Sequence, residues 1–168
     1  MYIYFFYNNF TDQINQQRLC LIQQNKKVYM LETTKDVLDQ KISEEFMKYK
    51  VIDGELPIAY DEEMYVVCNH IPVAEEGRDQ FEARFLNRAR KIEEEAGFIA
   101  IRVCRPLNSD TYVIITFWQS EQDFTNWQES KAYKQAHEKR RTEDGIDQKR
   151  PDIFPRPSYL NTYHVQKG

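Results

Sequence analysis

The sequence predicts an α+β chain: a complete ferredoxin-like unit preceded by a truncated copy of the same plan. Residues 62–168 read β-α-β-β-α-β, the order of a split β-α-β unit with both helices on one face of an antiparallel sheet. Residues 1–61 read β-β-β-α-β, the same order without its first helix. A short internal echo joins the two: Tyr4-Phe5-Phe6-Tyr7-Asn8 resembles Tyr65-Val66-Val67-Cys68-Asn69, with tyrosine and asparagine in register.

Each element has its own local cause. Residues 2–7 are aromatic and read as a strand. Residues 18–23 and 27–32 are two more, and the short join Gln24-Asn25-Lys26 predicts a hairpin. From Thr34, a possible N-cap, Val37, Leu38, Ile42 and Phe46 fall at helical spacing, which predicts a helix over 34–47. Residues 49–52 form a fourth strand and Asp53-Gly54 marks a turn. Pro57 and the acidic run Asp61-Glu62-Glu63 read as the linker between the halves.

The second half opens with a strand over 64–69, stopped by Pro72, whose nitrogen cannot donate to a ladder. Phe81, Phe85, Ala89, Ile92 and Ala96 form one apolar stripe, which predicts a single helix over 75–96 ending at Gly97. Strands over 98–104 and 111–118 flank a turn at 106–110. Ser120 and Asp123 then have capping-box spacing, with Asp replacing the usual Glu. They open a helix that carries Trp127 and runs on to His137. Residues 142–157 are polar and proline-rich, long for an unstructured connection, and a last strand covers 158–166.

Composition excludes several classes. With 41% hydrophobic and 30% charged residues and a net charge of −4, the chain reads as an ordinary soluble protein, without bulk attraction for nucleic acid or anionic membrane. The apolar N-terminus is short and has no basic leader, so it does not read as a signal peptide, and no apolar run is long enough to span a bilayer. Cys20, Cys68 and Cys104 are odd in number and far apart, which points to free thiols in a reducing, cytoplasmic setting. Eleven tyrosines and ten phenylalanines suit a broad sheet surface and a bulky core or pocket.

Taken singly, the residues that could carry chemistry have plain readings. A histidine near a helix end is usually a surface or core residue, a tryptophan three positions after Phe124 usually packs, and an asparagine at a strand end usually turns the chain. Their order changes the reading. Val67-Cys68-Asn69, Phe81-Glu82-Ala83-Arg84-Phe85, Glu95-Ala96-Gly97-Phe98, Thr116-Phe117-Trp118, Phe124-Thr125-Asn126-Trp127 and Ala132-Tyr133-Lys134-Gln135-Ala136-His137 together resemble the antibiotic biosynthesis monooxygenase (ABM) superfamily. Within it the resemblance is to the IsdG-type heme-degrading monooxygenases. Their Asn-Trp-His triad falls on Asn69, Trp127 and His137. The fused, aromatic-rich first half looks like the longer HmoB branch and its staphylococcal relative TRAP, once proposed as a signalling protein.

The resemblance implies heme as both substrate and cofactor, O2 as oxidant, and ring opening with iron release. Neutral imidazole at His137 suits a proximal iron ligand and leaves the opposite axial position open. Asn69 has an amide donor suited to dioxygen on that open side. Trp127, pressed on the porphyrin, would hold it out of plane. Phe124 is a candidate wall, and Arg140 and Arg141 are candidate partners for the propionates, since guanidinium pairs with carboxylate in bidentate fashion. The plain reading of these arginines is a solvated basic segment at a helix end. No flavin or nicotinamide fingerprint is present, so an external electron donor, an unidentified reductase, is expected. His70 neighbours Asn69 in a strand and should face away from it; His164 has no evident partner in the sequence.

In the wider superfamily two ferredoxin-like chains pair into a dimeric barrel. Here the two halves would make that barrel within one chain, an intramolecular pseudo-dimer that is a monomer in solution, with the triad in the second half alone. The alternative is a heme-binding or TRAP-like signalling or stress protein without turnover, because binding and turnover call on the same residues.

Overall fold

A computed structural model describes residues 1–7, 17–34, 46–59, 63–88, 90–130 and 153–166. Eight strands form a closed antiparallel barrel in the order β1-β3-β2-β8-β5-β7-β6-β4. They are β1 (Tyr2–Phe6), β2 (Leu19–Gln23), β3 (Lys26–Thr33), β4 (Phe46–Asp53), β5 (Tyr65–Pro72), β6 (Phe98–Pro106), β7 (Thr111–Trp118) and β8 (Tyr159–Gln166). Two α-helices are described, α1 (Arg78–Leu86) and α2 (Glu121–Gln128).

The strand order shows the duplication. In the second half the sheet runs β8-β5-β7-β6; in the first it runs β4-β1-β3-β2, so each half places its fourth, first, third and second strands in the same sequence. The two sheets meet at two seams. β2 pairs with β8 through Cys20–Gln166, Leu21–Val165 and Ile22–His164. β4 pairs with β6 from Tyr49–Pro106 to Asp53–Val103, with a bulge between Val51 and Asp53. Closure leaves neither four-stranded sheet with a wholly open edge.

Strand alternation divides every strand between the barrel interior and the outer face. Ile3, Phe5, Leu19, Leu21, Met30, Val66, Cys68, Cys104, Val113, Ile115, Phe117 and Val165 from both halves meet in one interior core. Into it the connection after β4 inserts Ile58, and the Leu56 carbonyl accepts from Arg102 Nη2 at 2.6 Å. Arg102 Nε reaches across the barrel to Glu32 Oε1 at 2.7 Å, with the two side chains only 3% and 6% exposed. The three cysteines are free; Cys68 and Cys104 are buried and Cys20 is half-buried. Among the described residues no helix is long and apolar enough to cross a membrane.

Three expectations are corrected. Phe46 and Met47, given to a helix over 34–47, begin β4, where Phe46 pairs with Phe6 and Met47 with Phe5; an apolar residue four positions after Ile42 fits a helix stripe, but the ladder to β1 claims it. Residues 35–45 of that segment lie outside the described residues. The helix over 75–96 is broken: α1 sits between 3-10 turns at Glu75–Gly77 and Lys91–Glu94, and Arg90 has φ +49°. The polar segment over 142–157 ends in packed structure. Ile153 is buried beneath α1, its carbonyl accepts from Ala74 N at 2.7 Å, and a Cβ on Gly77 would meet its side chain at 2.4 Å.

Candidate active site

The outer face of the second sheet carries two apolar clusters. One holds Tyr65, Val67, Trp118 and Phe124, with Ile92, Phe98 and Trp127 packed against it. The other holds Ile71, Val73, Phe81, Ile101, Val103, Tyr112, Ile114 and Ile153, with Phe85 and Phe154 against it. The outward row of β5 runs Tyr65, Val67, Asn69, Ile71, so Asn69, half-buried, stands between the two clusters. Its cross-strand neighbours are Ile114 on β7 and Leu160 on β8.

His70 points the other way, as expected from alternation. It stacks on Tyr159 with ring centroids 4.6 Å apart, and Asn161 Nδ2 lies 3.3 Å from its Nε2. Burial pulls its imidazole down to about 4, so the ring is neutral at ordinary pH and accepts from Asn161. His164 is exposed on the outer face. It meets the Tyr65 ring edge-on at 5.1 Å and lies 3.8 Å from the Glu121 carboxylate.

Helix α2 sets the position of Trp127. Ser120 Oγ accepts from the Asp123 backbone N–H at 3.2 Å, the N-cap half of a capping box, and donates to Asp123 Oδ2 at 2.9 Å, so the Asp123 carboxylate takes the Ser120 hydroxyl. Gly97, at φ +82°, lets the chain pass under this cap; a Cβ there would lie 2.1 Å from the Asp123 carboxyl carbon. The indole of Trp118 donates to Thr116 Oγ1 at 3.0 Å and is completely buried. Trp127 packs on that fixed ring with centroids 5.8 Å apart, and on Phe124 at 6.1 Å. Phe124 is itself buried between Tyr65, Trp118 and Trp127. Helix α1 is held from below. Glu82 accepts from Arg105 Nη2 at 2.6 Å and Nε at 2.9 Å, and also from the Tyr112 hydroxyl. The Arg105 pairing holds the Glu82 carboxyl below the usual range despite burial, and Tyr112 adds to it.

The two halves differ where a ligand would need room. Val67 is flanked by Thr162 on β8 and Thr116 on β7. The strand orders and the Tyr4–Tyr65 echo make Phe6 its counterpart, and Phe6 is flanked by Phe46 on β4 and Tyr29 on β3. Two threonines therefore stand where the first half has two aromatic rings. In that half Tyr4, Phe6 and Leu31 form a closed aromatic patch with Tyr2, Tyr29 and Phe46. Among the described residues, the second half alone has small side chains at this level of the sheet, beside Asn69 and under indole and phenyl rings.

Asn69 and Trp127 thus share one face of one sheet, and Phe124 lies behind Trp127. His137, Arg140 and Arg141 lie outside the described residues. Arg156, near the end of the polar segment, pairs with Asp110 at 2.7 Å. The sequence places Thr116 and Glu82 within the motif stretches without a role of their own and gives no signal at Thr162; what they contact appears only once the strands are in register.

A closed barrel of two ferredoxin-like halves, with two apolar clusters on the outer face of the second sheet, is the frame of a family that the sequence also matches. Residues 64–139, a span that includes Asn69, Phe124, Trp127 and His137, match the family Antibiotic biosynthesis monooxygenase. The chain is 38% identical over 81 residues to the staphylobilin-producing heme oxygenase of Staphylococcus haemolyticus, covering 46% of this chain and 76% of that protein. It belongs to the antibiotic biosynthesis monooxygenase family. Two solved structures share the whole fold. A major regulator of staphylococcal pathogenesis superposes with a TM-score of 0.74 at 16% identity, over 99% of both chains. LmHde, a heme-degrading enzyme from Listeria monocytogenes, superposes with a TM-score of 0.65 at 17% identity, over 99% of this chain and 100% of that one.

Proposed function

We propose that this protein is a heme-degrading monooxygenase that takes heme as substrate, consumes O2 and electrons from an external reductase, and releases iron. The observation that carries this reading is the arrangement of side chains on the outer face of the second sheet. Asn69 sits between two apolar clusters, beside the small row Thr162-Val67-Thr116, with Trp127 over the same face. Identity to a heme oxygenase over 81 residues supports it. The residues present fit a flat apolar ligand with one polar requirement at its centre: rings for the porphyrin faces and a neutral amide for the group at the iron.

When bound, heme supplies the redox-active iron and is itself the molecule oxidised. The chain's own residues bind and orient it. His137 is proposed to hold the heme iron. Asn69 would offer a neutral amide N–H to the group bound at the iron, and a fixed donor is effective because it needs no reorganisation. Trp127, backed by Trp118 and Phe124, would stand against the porphyrin as a rigid wall. The apolar clusters exclude water. Arg140 and Arg141 are proposed for the propionates. We further propose a division at residues 61 and 62, a monomeric solution state and a cytoplasmic location.

The test is one equivalent of heme followed by a reductant in air, with catalase present and the Soret band recorded. Binding, then bleaching with free iron, is expected. A Soret band that persists under a competent reductant would leave a heme-binding protein without turnover. His137→Ala should remove the ligand-dependent spectrum; an unchanged spectrum would refute the ligand assignment.

A further inference from the structure

The geometry points to a positioning role for the N-terminal half in the candidate site: Asp53, at the end of β4, holds open the break between α1 and the following 3-10 turn, and so seats Ile92 against the apolar cluster that Trp127 also packs on. This inference rests on the candidate site described above. Asp53 Oδ2 accepts from Arg88 Nη1 at 2.7 Å and lies 3.1 Å from Arg90 Nη2. Its other oxygen accepts from Gly54 N at 2.9 Å, which fixes the carboxylate to its own turn. That turn cannot shift, because Gly54, at φ +109°, lies so close to β6 that a Cβ would meet the Ile101 carbonyl oxygen at 1.9 Å. Asp53 is thus a rigid anchor from the first half, reaching two arginines of the second.

What the anchor controls follows from the apolar stripe. Phe81, Phe85 and Ile92 would lie on one side of a continuous helix. In the structure they are divided. Phe81 and Phe85 join the cluster on one side of Asn69, while Ile92 joins Trp127 in the cluster on the other. The division requires the chain to leave the helix between Leu86 and Lys91, and Arg90 does so at φ +49°, a conformation that costs a non-glycine residue about 1 kcal/mol or more. Arg88 also needs a counter-charge. Its side chain is 17% exposed, its Nε and Nη2 are buried without a hydrogen-bond acceptor, and Glu93 is 3.9 Å away. Asp53 supplies that charge. Burial works against its carboxylate, yet the Arg88 hydrogen bond and the charges of Arg88 and Arg90 hold it below the usual range.

Asp53→Asn in the full chain tests this, with Asp53→Glu as the conservative rescue and Arg90→Ala as a second route that removes one cation while keeping a Cβ in the left-handed backbone. Expected for Asp53→Asn are faster amide hydrogen exchange confined to residues 87–94, an altered near-UV circular dichroism from the Trp118–Trp127 pair, and heme affinity lower by about tenfold, the scale found when a supporting residue behind a ligand site is removed. Asp53→Glu should restore most of each. Should Asp53→Asn fail to fold, Arg90→Ala must show exchange and affinity changes in the same direction with the melting temperature retained. Unchanged exchange at 87–94 together with unchanged heme affinity overturns the inference, as does an affinity loss that only follows global destabilisation. If the parent protein binds no heme, the heme reading fails, while exchange and circular dichroism still decide the role of Asp53.

Discussion

The Arg102–Glu32 pair gives a direct test of whether the two halves are one folding unit. Arg102 belongs to β6 and Glu32 to β3, which are not neighbours in the barrel, so their 2.7 Å contact crosses its interior. Arg102 also donates to the carbonyls of Ile101 at 2.9 Å and Leu56 at 2.6 Å. Glu32→Ala would leave a guanidinium, 3% exposed, compensated only by carbonyl dipoles. Removing one partner of such a buried pair costs about 3–5 kcal/mol. In a chain of 168 residues each kcal/mol shifts the midpoint by about 2–4 °C, so the expected fall is about 10 °C. The double variant Glu32→Leu/Arg102→Met removes both charges at similar volume. It leaves two carbonyls without this donor, at about 1 kcal/mol each, and should be more stable than the single variant. Urea unfolding followed by tryptophan fluorescence and by far-UV circular dichroism measures both points. Both tryptophans lie in the second half, so coincident transitions mean that the first half unfolds with it. A Glu32→Ala protein as stable as the parent, or two separated transitions, would refute the reasoning.

Other outcomes follow from the same geometry. Asn69→Leu should retain heme binding but lower turnover by about 10²-fold, the scale for loss of one preorganised donor; single-turnover bleaching checks it. Thr162→Phe should place a ring where the first half has Phe46, blocking heme binding in a Soret titration without lowering the melting temperature. Gly97→Ala must adopt φ +82° and displace the Asp123 cap, at about 1–2 kcal/mol for the backbone and about 1 kcal/mol for the cap, measurable by urea melts. His70, held down to about 4 from 6.5 by burial, stays neutral in the folded state while the unfolded chain takes up a proton. Its contribution is complete above pH 6.5 and is lost as pH falls from 6.5 toward 4, so His70→Gln should flatten the stability profile in that window.

Much of this fold was legible because its causes are local. Alternating apolar residues marked the strands, Pro72 marked an end, and Ser120 with Asp123 marked the start of α2. Opposite facing of Asn69 and His70 follows from strand geometry alone. What could not be read depends on distant partners. The break after α1 is made by a carboxylate 35 positions upstream, so the stripe from Phe81 to Ile92 looked continuous. Phe46 satisfied a helical spacing and a strand pairing equally, and only β1 decides between them. Ile153 is one apolar residue in a polar, proline-rich stretch, with no period to betray its burial against Gly77. The small row Thr162-Val67-Thr116 takes its meaning from the register of three strands that are far apart in sequence.

Fusion of the halves explains how the outer faces of the two sheets came to differ. In a dimer of identical chains, any residue that fills one cleft fills both, so a ring that stabilises the sheet abolishes the site. Within a single chain that coupling is broken. The first half has Phe46 and Tyr29 at the positions that hold Thr162 and Thr116 in the second, and Tyr4, Phe6 and Leu31 are almost fully buried there. Lys48 lies 5.9 Å from the rings of both Tyr2 and Tyr4, adding a cation over the same patch. Each buried aromatic ring contributes about 1.5–3 kcal/mol by leaving water, and neighbouring rings add about 0.5–1.5 kcal/mol. The first half is therefore free to pack as a stable core, while the second keeps threonines at the same level of the sheet. The barrel joins the two through a shared interior and through Arg102–Glu32, so stability gained in the filled half supports the half that leaves space for a ligand.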